Sequence, residues 1–188
     1  MKLSFIALLA LSCVACAGSP AQRITTDVRA FQAEQTHEKL TARGRAFAAI
    51  GDTTRAREYF DAALEAGGDD RVLTPLLLAV CVRDGRYRLA IEYAERHVRR
   101  HPRDARMRFV LGTLRAGVGE ALTAEADLSR VIAAAPNNSE AHYALAVLLR
   151  DQRGDLVGAD QHFRAYLALQ PEGEHSDEAK SSLLQVVR

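Results

Sequence analysis

The inward pairs Ala63-Leu64, His97-Val98, Val131-Ile132 and Tyr166-Leu167 recur at almost even spacing along the chain, and the residues before them recur in step. Ahead of each pair stands an alanine, Ala56, Ala90, Ala124 or Ala159, and five residues before each alanine a glycine, Gly51, Gly85, Gly119 or Gly154. After each pair comes a closing residue: Pro102, Pro136 and Pro171 in three units, Gly68 in the first. All three series lengthen by one in the last unit, which places a single inserted residue between Leu149 and Gly154.

This punctuation predicts a pair of antiparallel helices per unit. A glycine can take the left-handed conformation that ends a helix, and the alanine after it lets two helices approach closely. The proline ends the second helix and opens the next unit. One such hairpin cannot bury its apolar face alone, so four units must stack into an arc with a continuous core. Ser176 is placed to cap a final helix running to about Val187, with Ala179, Leu183 and Val186 or Val187 at helical spacing. Val28 and Phe31 are spaced for a helix that either precedes or merges with the first helix of the first unit. Pro75 falls where the first helix of the second unit belongs, and its missing N–H predicts a late start near Thr74.

The combined pattern resembles the tetratricopeptide repeat family, whose helix-turn-helix unit runs to about 34 residues with small residues and a closing proline at these places. The resemblance spans His37–Pro171. It implies an all-α, right-handed solenoid with repeats over 37–70, 71–104, 105–138 and 139–173, a helical segment over 25–36 before them and a capping helix over 174–188. The family's aromatic residue near the start of the first helix is replaced by Leu40, Thr74, Arg108 and His142, so the repeats are divergent. Members of this family line a concave face with their first helices. Carried over position by position, that face holds Thr41, Arg45, Ala48, Pro75, Ala79, Val82, Arg83, Arg106, Phe109, Thr113, Tyr143, Val147 and Arg150. This mixture of apolar surface and arginine suits a helix or an extended peptide from another protein. The asparagine and lysine clamp that chaperone-binding members use for a C-terminal carboxylate has no counterpart here.

Composition adds support for helix rather than a new direction. Alanine, leucine and arginine are frequent, tryptophan is absent, and aromatic residues make up 6% of the chain. The net charge is only +1, so any electrostatic preference must come from local patches. One such patch lies in the middle, where Arg83, Arg86, Arg88, Arg96, Arg99, Arg100, Arg103, Arg106, Arg108 and Arg115 crowd together. A basic surface for an acidic partner is one reading. A solvated helix face with pairs such as Glu92-Arg96 and Glu95-Arg99 is the preferred one, because aromatics that could stack on bases are scarce there. Nucleic acid is therefore not an expected partner.

Catalytic motifs are absent: there is no glycine-rich phosphate loop, no G-x-S-x-G elbow and no H-E-x-x-H helix. No cofactor and no small-molecule substrate are expected. His97 and His101 stand four apart, the spacing of two metal ligands on one helix face, but the sequence offers no evident third ligand. The simpler expectation is a packing histidine at His97 and a helix-terminal one at His101. Cys81 occupies the inward slot that Phe47 and Leu149 hold in other repeats, which predicts a small core residue rather than a reactive thiol.

The remaining chemistry sits at the N-terminus. Met1-Lys2 and the apolar run Leu3 to Ala15 have the form of an export signal, too short to span a bilayer. Cys13 and Cys16 form a C-x-x-C ahead of the domain, away from the helix start and βαβ setting of a redox motif. Ala15-Cys16-Ala17 satisfies ordinary signal cleavage, which releases a soluble periplasmic binding module beginning at Gly18. Val14-Ala15-Cys16 followed by Ala17-Gly18-Ser19 resembles a bacterial lipobox, with Cys13 in the place usually held by leucine. The lipobox is preferred because a lipidated Cys16 followed by a linker over 16–24 makes a direct tether. Ala17 after the cysteine fits outer-membrane sorting. The expected protein is thus a non-enzymatic interaction scaffold, lipid-anchored in the bacterial envelope and facing the periplasm. Its groove would bind another envelope protein or a peptide segment of one, in the manner of pilotin-like lipoproteins that assist assembly of envelope complexes. A metal- or thiol-dependent protein built on His97 and His101 or on Cys81 is the alternative from another class.

Overall fold

The computed structural model describes residues 36–185. The export signal, Cys13, Cys16, the linker, the N-terminal helical segment apart from Thr36, and the last three residues lie outside the described residues. Among the described residues the chain is all-helical. The helices are α1 (His37–Ala49), α2 (Thr53–Glu65), α3 (Asp70–Arg83), α4 (Tyr87–Arg100), α5 (Ala105–Gly117), α6 (Ala121–Ala134), α7 (Ser139–Leu148), α8 (Leu156–Leu169) and α9 (Ser176–Ser181). Each packs against the next in chain order, giving four hairpins, α1/α2 to α7/α8, and a short closing helix.

Local chemistry explains the boundaries. Gly51, Gly85, Gly119 and Gly154 all have positive φ, as the turn inside each hairpin requires. The side chains of Asp52, Asp69, Asp104, Asn138 and Asp155 accept the backbone N–H of Arg55, Arg71, Met107, Ala141 and Gly158, so five helices begin on a side-chain cap. The four alanines after the turn glycines are buried where two helices meet.

The inserted residue of the fourth repeat has a structural counterpart. The end of α7 widens into a π-helical turn at Leu149–Arg153 before Gly154 reverses the chain. One extra residue is absorbed there without shifting Leu148, Leu149 or Ala159 from the core.

Two expectations are corrected. Helix α3 starts at Asp70, not near Thr74, because Asp69 caps it through Arg71 N at 2.8 Å. Pro75 sits inside the helix, where it deletes one bond to the carbonyl of exposed Arg71, and its own ring is exposed. At the other end, Ser176 is the first residue of α9 rather than its cap, and α9 stops at Ser181. The chain is turned away from helix there: Leu184 N donates to Asp160 Oδ1 at 2.8 Å, and Leu184 O accepts from Arg164.

The core forms two clusters. One, around Phe60, Leu73, Leu77, Cys81, Ala90 and Leu111, fills repeats one to three. The other, around Leu128, Leu145, Leu148, Phe163, Tyr166 and Ala179, fills the C-terminal half. Each large side chain buried this way contributes about 1.5–3 kcal/mol. No helix among the described residues is long and apolar enough to cross a membrane.

Candidate protein-interaction groove

The first helices of the repeats, α1, α3, α5 and α7, leave hollows between them. The larger, about 530 Å³, lies between α3 and α5 and is lined by Pro75, Leu78, Ala79, Val82, Met107 and Val110, with Arg71, Asp104 and Arg106 at its edge. A second, about 420 Å³, lies between α1 and the start of α3 and includes Thr41, Ala42, Arg45, Val72 and Leu73. The α-helical period places Pro75, Ala79 and Val82 on one face of α3, so the apolar floor follows from the sequence spacing.

The structure distributes the expected groove residues unevenly. Pro75, Ala79, Val82 and Arg106 come together in the larger hollow, and Thr41 and Arg45 in the smaller. Thr41 also donates to the His37 carbonyl at 2.6 Å. Arg83 donates to Ala48 O at 2.8 Å and so closes the end of α1. Thr113 bonds Val110 O in its own helix, while Phe109 and Val147 pack half-buried against the second core cluster.

Tyr143 and Arg150 are already engaged by the C-terminal segment. Tyr143 donates to Glu178 at 2.6 Å and stacks on His175 with ring centroids 3.9 Å apart. Burial and the Glu178 bond push its hydroxyl up to about 12. Arg150 binds Glu178 at 2.9 Å and Ser182 at 2.7 Å, and the Tyr143 and Arg150 bonds hold Glu178 below the usual carboxylate range. At repeat four the groove face is therefore covered by α9 and the residues after it.

Most of the central arginines are occupied within the chain. Arg86, Arg88, Arg99 and Arg100 pair with Asp84, Glu120, Glu95 and Asp70. Arg96 lies over the Tyr93 ring at 5.3 Å rather than against Glu92. Arg108 and Arg115 converge on buried Asp127, and Arg115 also reaches Glu95. Of the arginines at the larger hollow, neither Arg71 nor Arg106 has a side-chain ion pair among the described residues. Sequence reasoning missed Asp127, because its role depends on helix α5 being its neighbour.

Cys81 is 2% exposed, and burial pushes its thiol up to about 11, away from the reactive thiolate. His97 is 1% exposed, the buried position expected of it, and acidic neighbours on other elements that the sequence did not reveal lie close by. Its Nδ1 lies 3.4 Å from Asp70 Oδ1 and its Nε2 2.9 Å from Asp104 Oδ2. Burial raises both aspartates, but the hydrogen bonds they accept outweigh it and hold both below the ordinary range: Thr74 and His97 for Asp70, Met107 N and His97 for Asp104. His101 Nε2 stands 3.3 Å from Asp70 Oδ2, so Asp70, His97 and His101 form a cluster that could hold a metal ion.

The tetratricopeptide repeat model matches residues 36–71, 82–117 and 110–174. The chain belongs to the tetratricopeptide repeat family. Solved structures agree on the fold. YrrB, described as a tetratricopeptide repeat protein with an unusual peptide-binding site, is 20% identical with a TM-score of 0.68, covering 85% of this chain and 88% of its own. MamA from Desulfovibrio magneticus RS-1 is 24% identical with a TM-score of 0.66, covering 84% and 89%. A tetratricopeptide repeat protein from Parabacteroides merdae is 20% identical with a TM-score of 0.70, covering 79% of this chain and 59% of that one. No curated protein matches the sequence. A tetratricopeptide repeat solenoid is a protein-interaction scaffold as a class, and that is the coarse function of this chain.

Proposed function

We propose that this scaffold is held at the bacterial envelope by a lipid on Cys16 and binds an acidic, partly apolar segment of another envelope protein. The larger hollow carries the proposal. Its floor is apolar and its edge bears Arg71 and Arg106, whose side chains have no internal ion pair among the described residues. A segment with a Leu- or Phe-type anchor and a nearby Asp or Glu complements both features. The peptide-binding site named for YrrB supports a peptide as the class of ligand.

Envelope anchoring rests on the sequence from Leu3 to Ser19. A tether there leaves the repeats to engage partners at the membrane surface and assist assembly of a larger complex. The direct test is a photo-crosslinking side chain at Ala79, exposed in the hollow, in living cells. It should capture one partner, and the joint variant Arg71→Glu/Arg106→Glu should weaken binding of the captured segment at least tenfold, about 1.4 kcal/mol. Equal binding by the charge-reversed variant would refute the acidic-segment reading. Fractionation of Cys16→Ala separates anchor from groove: the variant should leave the membrane fraction while the purified domain still binds.

A further inference from the structure

We propose that Asp70, His97 and His101 form a binding site for one divalent transition-metal ion of the zinc class. Two imidazoles and a carboxylate are the donor set such ions accept. In a tetrahedral site with ligands at about 2.0–2.1 Å, donor atoms stand about 3.3–3.4 Å apart. The Asp70 carboxylate stands between the two imidazoles, its Oδ1 3.4 Å from His97 Nδ1 and its other oxygen, Oδ2, 3.3 Å from His101 Nε2, so a small turn of the carboxylate or of His101 brings one donor from each residue toward that spacing. One donor atom from each of the three residues lies within 4.8 Å of the others, and half-buried His101 has the freedom to close the remaining gap.

The support around the cluster is an independent observation. Buried His97 turns its second nitrogen, Nε2, to Asp104 Oδ2 at 2.9 Å, the carboxylate–histidine arrangement that aims a ligating nitrogen at a metal. Asp104 is fixed in turn as the cap of α5, its Oδ1 accepting Met107 N at 2.9 Å. Thr74 donates to Asp70 Oδ1. Arg100, which reaches Asp70 Oδ2 at 3.4 Å, is 57% exposed and can swing into water when an ion takes its place. His101 and Asp104 border an open hollow with Arg71, Pro102 and Arg103, which gives a hydrated ion an entry path and leaves the fourth position to solvent.

The donors come from the first residue of α3, the last turn of α4 and the residue after it, and Asp104 begins α5. A bound ion therefore pins the start of α3 to the end of α4 within one hairpin, beside the hollow that Arg71 and Asp104 also border, and Asp104 at the start of α5 meets it only through His97. Its role is that of a clamp on the α3/α4 hairpin. It does not depend on what the groove binds.

The test is calorimetric titration of the metal-free full chain with Zn²⁺ alone at neutral pH, with Mg²⁺ as the hard-cation control. Saturable binding of one Zn²⁺ per chain at micromolar Kd or tighter, no Mg²⁺ binding, and at least tenfold weaker Zn²⁺ binding by His101→Ala are expected. His162→Gln, remote from the cluster, should bind as the parent chain does. Thermal melting gives a second readout: Zn²⁺ should raise Tm for the parent and not for His101→Ala, a partly exposed position whose loss leaves the core intact. Absence of saturable binding, or equal affinity in His101→Ala, overturns the site.

Discussion

Replacing Asp127 with alanine removes the acceptor that ties α5 to α6 inside the hairpin of repeat three. Its side chain is 4% exposed and takes hydrogen bonds from Arg108 Nη1, at 3.2 Å, and from Arg115 Nη1, while Arg115 Nη2 turns to Glu95 on α4. The two arginine side chains are only 14% and 17% exposed, so water is a poor substitute for the lost carboxylate. Removing one partner of such a buried group costs about 3–5 kcal/mol. Arg115 keeps Glu95, which sets the expected loss at the lower end, about 3 kcal/mol. At roughly 2–4 °C per kcal/mol for a domain of this size, Tm falls by about 6–12 °C. Urea unfolding followed by far-ultraviolet circular dichroism measures the loss directly, and high salt should change it little because the pair is buried. In the double variant Arg115→Ala/Asp127→Ala the loss should be smaller than the sum of the two single losses. A loss under about 1 kcal/mol, the range of surface pairs, would refute the reasoning.

Gly44→Ala should cost about 1–3 kcal/mol by overpacking, since a Cβ there meets Phe60 Cε1 at 2.5 Å and Phe60 is buried. Gly117→Ala, with open space around it at the end of α5, should be neutral or slightly stabilising in the same urea assay. A pH effect is expected from His162, whose Nδ1 lies 3.0 Å from His142 Nδ1, while His142 Nε2 faces Pro136 O. Burial, then the charge of His142, lowers the His162 pKa below 6.5. Below about pH 6.5 the unfolded chain takes up this proton before the folded one does, so stability is full above that pH and declines as pH falls toward the folded value. Unfolding midpoints of the parent should drop between neutral pH and about pH 5, and His162→Gln should flatten that slope; an unchanged slope would refute the assignment.

The paired hairpins were legible because their determinants are local. A turn glycine must be left-handed, the alanine after it must fit between two helices, and both demands repeat with the unit. The inserted residue was legible for the same reason, although only the backbone shows that a π-helical turn absorbs it. Pro75 and Ser176 misled because a local rule met a stronger neighbour. Asp69 caps α3 upstream of the proline, and Asp160 with Arg164 draws Leu184 out of helical register. Of the positions expected on the groove face, Pro75, Ala79, Val82 and Arg106 meet in one hollow, whereas Tyr143 and Arg150 are held by Glu178 from α9, a contact no local pattern announces.

By itself the sequence determined the helical unit, its count and the apolar character of its inward face, because each depends on residues within one turn or one hairpin. Only the tertiary structure decided which distant side chains meet. Asp127 between Arg108 and Arg115, Gly44 against Phe60, His142 beside His162, and Asp70 beside His97 and His101 are pairings between neighbouring helices. Their partners are set by helix rotation and tilt in the stacked array, and these are outcomes of packing the whole core rather than of any local segment.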